Sequence, residues 1–320
     1  MMPAESDFIQ INNINNVQIR NELINGLMAA SAFVSPKYFY DTLGSKLFAA
    51  ICELSEYYPT RTEASIFSHY LGEIAVSVGT GSAFIDLGAG DCTKAAKLFS
   101  VLQPAQYVPV DISVNYLRDI VRQLQLQHPN IKMTGLGMDF STAIELPDIV
   151  KCKKRLFFYP GSSIGNFTPD EALAFFRRLH SACDSEGGVL IGVDLIKDEK
   201  ILNAAYDDSL GVTAAFNLNV LTHLNNLLGA NFDIRSWRHV GIYNAKLCRI
   251  EMYLEARCNQ NVKWVDGERH FLAGERIHTE NSYKYQPEQF IELLQQAGFE
   301  VAGRWCDAQN WFMVCHARVA

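Results

Sequence analysis

Eight cysteines are spread over 320 residues, and no two of them form a C-x-x-C pair. That spacing excludes the common zinc frameworks and gives no disulfide scaffold. Positive charge is scarce as well. Lys and Arg number 28 against 35 Asp and Glu, for a net charge of −7, and the one basic run is Lys151-Cys152-Lys153-Lys154-Arg155. Nucleic acid is therefore not expected as a partner, since phosphates need a basic face to neutralise them. No apolar stretch reaches the length of a membrane span, so no membrane partner is expected either. Residues 1–16 are polar and lack a charged-then-apolar secretory pattern, and a reduced, cytoplasmic setting is the expectation. Internal repeats and low-complexity tracts are also missing. What remains is a chain long enough to bury a sizeable core and to hold two domains.

The most informative feature present is Phe84-Ile85-Asp86-Leu87-Gly88-Ala89-Gly90-Asp91, an apolar run that breaks into Gly-x-Gly. A buried parallel strand followed by a glycine turn lets backbone approach a ligand at the carboxyl edge of a sheet. A dinucleotide fingerprint needs a third small residue three positions after the second glycine. Asp91, Cys92 and Thr93 follow Gly90 instead. Downstream, Tyr107-Val108-Pro109-Val110 reads as the next strand and ends in Asp111. An acid there can accept hydrogen bonds from a ribose diol. A nucleoside cofactor without a pyrophosphate fits this pair, and S-adenosyl-L-methionine fits better than NAD.

The patterning alternates and is then interrupted. Helices are expected at 62–78, 93–102, 114–127 and 171–182, with strands at 84–87, 107–110, 132–137, 155–159 and 189–194. This repetition of strand and helix predicts an α/β fold with a mostly parallel sheet covered on both faces. From 198 to 228 the chain looks helical, with a break at Gly211. Strands at 239–243, 249–257 and 261–265 follow with no helix between them, which is antiparallel patterning. A helix at 286–297 and strands at 299–306 and 311–317 restore the first style. The expected division is 61–195 with 286–320 as one domain, and 1–60 with 196–285 as an inserted α+β domain.

Several blocks carry a resemblance to a known family. They are Pro36-Lys37-Tyr38-Phe39-Tyr40-Asp41, Glu56-Tyr57-Tyr58-Pro59-Thr60-Arg61-Thr62-Glu63, the Gly-x-Gly turn, and Pro160-Gly161-Ser162-Ser163-Ile164-Gly165-Asn166. Ala204-Ala205-Tyr206-Asp207-Asp208, Gly211-Val212-Thr213-Ala214-Ala215-Phe216-Asn217 and His278-Thr279-Glu280-Asn281-Ser282 continue the series in family order. Together they resemble the histidine-specific Nα-methyltransferases, which trimethylate L-histidine to hercynine in ergothioneine biosynthesis. Departures are small: Ser163 where Thr is frequent, and Tyr283 and Tyr285 around Lys284, where the family varies. The resemblance implies a class I S-adenosylmethionine-dependent methyltransferase, with a Rossmann-like sheet for the cofactor and the inserted domain for the substrate. It implies a small-molecule substrate, L-histidine, and a monomer.

The cofactor residues would be Gly88, Gly90, Lys94, Asp111, Asp139 and Phe140. Gly88 and Gly90 bring the loop close to the methionine portion, though turn glycines also occur without a ligand. Lys94 would otherwise be a solvated helix lysine, and the resemblance assigns it to the cofactor. Asp139 can accept from an adenine amino group while Phe140 covers the ring. On the substrate side, Glu280 and Ser282 lie two apart in an extended stretch, so both point to one face. A carboxylate and a hydroxyl together can grip the two nitrogens of an imidazole, one as acceptor and one as donor. A solvated strand edge would look the same, and the resemblance decides between them. It also adds Met252 as a wall of the ring pocket and Asn281 from the same motif.

Asn166 closes a strand–loop–helix turn, where its amide can hold the substrate carboxylate or amine. A helix N-cap is its competing role, although Thr168 is better placed for it. Gly161 would bring a backbone carbonyl near the amine. Tyr40, Tyr57 and Tyr206 enter through the resemblance, as hydrogen-bond partners around the amine and carboxylate. No residue is assigned as a catalytic base. A sulfonium is already a good methyl donor, so alignment is the chief demand. Rival readings are Nα-methylation of another amino acid or a histidine derivative, and a catalytically silent S-adenosylmethionine-binding protein. An NAD dehydrogenase comes third.

Overall fold

Strands form wherever the chain is apolar, β-branched or aromatic for a few residues between turn signals. The computed structural model describes residues 7–11, 16–112, 114–150 and 154–320. Lys151, Cys152 and Lys153 of the basic run lie outside them, as do parts of the N-terminal segment. In chain order the first strands are β1 (Asp7–Gln10), β2 (Ala83–Leu87), β3 (Gln106–Asp111), β4 (Lys132–Gly137), β5 (Arg155–Tyr159) and β6 (Gly188–Asp194). Then come β7 (Trp237–Asn244), β8 (Arg249–Ala256), β9 (Gln260–Trp264), β10 (Gly267–Phe271), β11 (Arg276–Tyr283), β12 (Phe299–Cys306) and β13 (Phe312–Val319).

The chain divides into two compact units. The larger holds residues 1–13, 62–195 and 285–320, and the smaller holds 14–61 and 196–284. In the larger unit eight strands form one sheet in the order β1-β4-β3-β2-β5-β6-β13-β12. Pairing is parallel from β1 to β6 and antiparallel at β13 and β12. β2 is buried along its whole length, as expected for a central strand covered on both faces. From β2 the chain builds outward through β3 and β4 on one side, then through β5 and β6 on the other. That reversal is the switch point at which open α/β sheets bind ligands, outside the carboxyl ends of the strands. The core below it is aromatic. Phe84, Phe99, Tyr107 and Phe158 are buried in one cluster, with the Phe84 and Phe158 rings 5.2 Å apart.

Two expectations need correction here. Residues 7–10 belong to the larger unit and not to the inserted one, because β1 adds to the sheet edge, with Asp7 opposite Thr134 and Gln10 opposite Gly137. Gly135 permits this: a Cβ there would lie 2.7 Å from the Phe8 ring. The stretch 93–102 is also two short helices, Thr93–Ala96 and Phe99–Leu102, because the Leu98 N–H turns to the Ala95 carbonyl at 2.9 Å and closes a tight turn.

The smaller unit packs the helices Asn16–Met28, Thr42–Cys52, Glu199–Tyr206 and Val212–Leu228 with two antiparallel sheets, β11-β8-β7 and β10-β9. The break near Gly211 has a clear cause. Gly211 is left-handed at φ +75°, and the Asp208 carboxylate accepts the N–H groups of Val212 and Thr213 at 3.0 and 2.7 Å, starting a new helix. Among the described residues no helix is long and apolar enough to cross a membrane, and no cluster of His, Cys, Asp and Glu is suited to a metal.

Candidate active site

The glycine turn is tied to the neighbouring strand. Gly88 and Gly90 take φ values of +69° and +52°, a region that side chains disfavour. The N–H groups of Gly88 and Ala89 donate to the Val110 carbonyl at 2.9 and 3.1 Å. The Gly90 N–H donates to Asp111 Oδ2 at 3.1 Å. Turn and acid, separate features in the sequence, are thus one hydrogen-bonded unit. Space remains above them. A Cβ on Gly90 would meet nothing within 4 Å, and one on Gly88 would touch only the Phe140 ring, at 3.7 Å. Asp139 starts a turn beside this ring, its Oδ1 accepting the Ser141 N–H at 3.1 Å. Open space over a glycine turn, a carboxylate at the next strand end and an aromatic edge together form a cradle that fits a nucleoside cofactor.

A buried acid lies beneath. Asp86, 2% exposed, accepts a hydrogen bond from the Tyr107 hydroxyl at 2.7 Å, and burial pushes its carboxyl up to about 7. Lys94 is tethered by another acid that sequence reasoning did not assign. Its ammonium donates to Glu63 Oε2 at 2.6 Å, and Glu63 Oε1 accepts the Gly161 N–H at 2.7 Å. Glu63 is 1% exposed, whereas the Lys94 side chain keeps 41% of its surface open. One carboxylate therefore anchors both the Lys94 head and the loop after β5. Its only signal in the sequence was its place at the end of the Glu56–Glu63 block.

Asn166 ends the single turn Ser163–Asn166 and is half-buried. Its competing capping role goes elsewhere. Thr168 caps the helix Pro169–Ala182 in a reciprocal box: Thr168 Oγ1 accepts from the Glu171 N–H, and the Glu171 carboxylate accepts from the Thr168 N–H at 2.8 Å.

In the smaller unit the register of β11 decides which residues meet. A bulge between His278 and Glu280 places Glu280 opposite Met252 and Ser282 opposite Ile250 on β8. Glu280, Ser282 and Met252 are all buried, at 9%, 4% and 2% exposure. Burial pushes the Glu280 carboxyl up to about 7, while the nearby Lys284 charge draws it down. Asn281 does not join them. It alternates to the other face, where its Oδ1 accepts from His278 Nε2 at 2.9 Å.

Tyr206 and Ser282 share a hydrogen bond of 2.8 Å, and buried Lys284 donates to both, at 3.0 and 2.7 Å. Lys284 is a second group that sequence reasoning left unassigned, although 280, 282 and 284 follow one alternation. The Tyr206 backbone is held by His239, whose Nε2 donates to the Tyr206 carbonyl at 2.8 Å while Asn217 Nδ2 lies 2.8 Å from Nδ1. Tyr57 stands edge-on to Tyr206 with ring centres 6.1 Å apart, and burial pushes its phenol well up. Phe48 links Tyr57 to Tyr40 through edge-on contacts of 6.2 and 5.6 Å. Tyr40, Tyr57, Tyr206, Met252, Glu280 and Ser282 thus fall within one unit.

Residues 19–319 match a family described as histidine-specific methyltransferase, SAM-dependent. The chain belongs to this family. S-adenosylmethionine is therefore the cofactor of this methyltransferase. The chain is 38% identical over 300 residues to a histidine N-alpha-methyltransferase of Mycolicibacterium smegmatis, covering 92% of each sequence. It is 30% identical over 283 residues to ergothioneine biosynthesis protein 1 of Neurospora crassa, covering 83% of this chain and 31% of that one. Among solved structures it is similar to the magnesium protoporphyrin IX methyltransferase of Synechocystis with bound SAH. The TM-score is 0.46 at 14% identity, over 89% of this chain and 98% of that one. The two readings other than a methyltransferase, a silent S-adenosylmethionine-binding protein and an NAD dehydrogenase, give way to the family assignment.

Proposed function

We propose that this methyltransferase adds three methyl groups in turn to the α-amine of free L-histidine, giving hercynine as the first step towards ergothioneine. One observation carries the choice of histidine. Glu280 and Ser282 share one buried face of β11, with Met252 directly across from the carboxylate. A carboxylate and a hydroxyl so placed match the two ring nitrogens of an imidazole, whereas an indole offers one N–H and a phenol one hydroxyl.

The remaining roles follow from what each group can do. Gly88, Gly90, Lys94, Asp111, Asp139 and Phe140 hold the cofactor, with Asp111 on the ribose diol and Phe140 against the adenine. Glu63 is a positioning residue for Lys94. When bound, S-adenosylmethionine supplies a methyl group on a sulfonium, already a good electrophile. The protein's share is to hold the amine nitrogen in line, where misplacement is costly. Asn166 and Gly161 are assigned to the amine end, and Tyr206 and Tyr57 to the carboxylate and its surroundings. Aromatic faces at Tyr40, Tyr57 and Tyr206 suit the methylated ammonium that accumulates over three rounds. The amine reacts as the free base, a form that a low-dielectric site favours. The reading takes the enzyme as a cytoplasmic monomer.

Calorimetry in the presence of S-adenosylhomocysteine tests the substrate choice. Histidine is expected to bind at least about tenfold more tightly than tryptophan, the worth of one charged hydrogen bond. Equal affinities would remove the imidazole reading.

A further inference from the structure

Lys284 is a buried charged group of the smaller unit to which the proposal above gives no task. Its side chain is 2% exposed, and its ammonium lies 2.7 Å from Ser282 Oγ, 3.0 Å from the Tyr206 hydroxyl and 4.7 Å from the Tyr206 ring centre. An ammonium has three donors and no acceptor. Both hydroxyl oxygens therefore accept from Lys284, and both hydroxyl hydrogens turn away from it; the two hydroxyls also share a 2.8 Å hydrogen bond, and with Tyr206 as its donor the Ser282 hydrogen is left for a ligand. Ser282 shares its face of β11 with Glu280, two residues away, so the face presents an anionic acceptor beside a hydroxyl whose oxygen is already engaged by a cation.

We propose that Lys284 is a positioning residue that makes Ser282 a hydrogen-bond donor, and thereby restricts the site to histidine with a neutral imidazole ring. The ring N–H then meets Glu280 and the bare nitrogen meets Ser282. The inference deepens the Glu280–Ser282 reading and rests on it. Charge counting leads the same way. Glu280 as carboxylate, Lys284 as ammonium and a neutral ring sum to zero. A proton added to the ring would place a second cation beside the ammonium in a buried site, where water screens the repulsion little and desolvation adds to the cost. Without Lys284, an imidazolium would instead pair with Glu280, and Ser282 would be free to accept from it.

The other titratable groups around this cluster do not supply the effect. Tyr206 lies on the helix Glu199–Tyr206, whose Glu199 is exposed. Tyr243 on β7, near Cys248, has its phenol pushed up to about 12 by burial, and burial also raises Tyr57, which neighbours Cys52 and Tyr40. Both phenols stay neutral across the range in which an imidazole titrates.

Nitrogen NMR on ring-labelled histidine bound to the full chain saturated with S-adenosylhomocysteine is the direct test. At pH 6, where free histidine is mostly imidazolium, the bound ring is expected to show two distinct signals, one N–H and one bare nitrogen. Affinity for histidine should fall at least about fourfold from pH 8 to pH 6 through loss of the neutral ring, and further as Glu280, pushed by burial up to about 7, takes up a proton. Lys284→Met should convert the bound ring to imidazolium and reduce that fall, and Lys284→Arg should restore both. An imidazolium in the unmodified protein overturns the proposal without Lys284→Met having to fold. So does a neutral ring and an unchanged pH slope in Lys284→Met. Failure of the unmodified protein to bind histidine at any pH would overturn the histidine reading itself.

Discussion

At the scale of single residues, the proposed specificity rests on Glu280, Ser282 and Met252, which are buried on facing positions of β11 and β8. Removing the carboxylate by Glu280→Ala deletes the acceptor proposed for one ring nitrogen, and Met252→Val opens space directly across the strand pair. The double variant is expected to shift kcat/KM from histidine towards tryptophan by a factor of about ten or more, consistent with losing a charged hydrogen bond worth about 1.5–3 kcal/mol. Competition between the two amino acids in one assay reads this ratio, and a variant that kept its full preference for histidine would refute the pairing. Much of this was legible in the sequence, because two-residue alternation alone puts Glu280 and Ser282 on one face. The same alternation sends Asn281 to the opposite face, where His278 engages it, so a motif-wide assignment overreached at that residue. Lys284 follows the same alternation and was left unassigned, whereas Glu63 was not legible. Nothing local marks an acid as the shared anchor of a lysine 31 residues away and a backbone N–H 98 residues away.

Elements were legible where a local rule governs them. β2, β3 and β4 follow from short apolar runs between turn residues, and the helix Val114–Gln127 from its apolar stripe. β1 is different. It has four residues, and it exists because β4 presents an unpaired edge with room over Gly135 for Phe8. β10 and β11 were likewise not delimited, since antiparallel strands joined by short turns take their limits from their partners. The carboxyl ends of β2 and β3 work together because Asp111 accepts the Gly90 N–H. Asp111→Ala should therefore leave the sheet folded but lower the affinity for S-adenosylhomocysteine severalfold, the effect of unpaired polar groups at about 1–3 kcal/mol. Asp111→Asn, which still accepts from Gly90, should fall in between. Calorimetric affinity that did not change in either variant would confine Asp111 to a structural role.

For the whole molecule, buried acids make stability depend on pH in a defined direction. Burial raises the Asp86 carboxyl to about 7 in the folded chain, against about 3.9 when unfolded. A raised value means that its contribution is fully present below the unfolded pKa and is lost as pH rises through the folded one. Glu280 is raised to about 7 and acts in the same direction. These two carboxyls should thus lower the melting temperature of the ligand-free protein as pH rises from 5 to 8. Against them stand His239, His278 and His316, whose values burial lowers and which act in the opposite direction below about pH 6.5. Asp86→Asn, which keeps an acceptor for Tyr107, should shrink the lowering due to the carboxyls, and an unaltered pH dependence would contradict the assignment. The central claim is the reaction, and mass spectrometry tests it most directly. Incubation of the protein with S-adenosylmethionine and L-histidine should yield species with one, two and finally three added methyl groups, all located on the α-nitrogen by fragmentation. Histidine recovered unmodified, or methylated on its ring, would contradict the account.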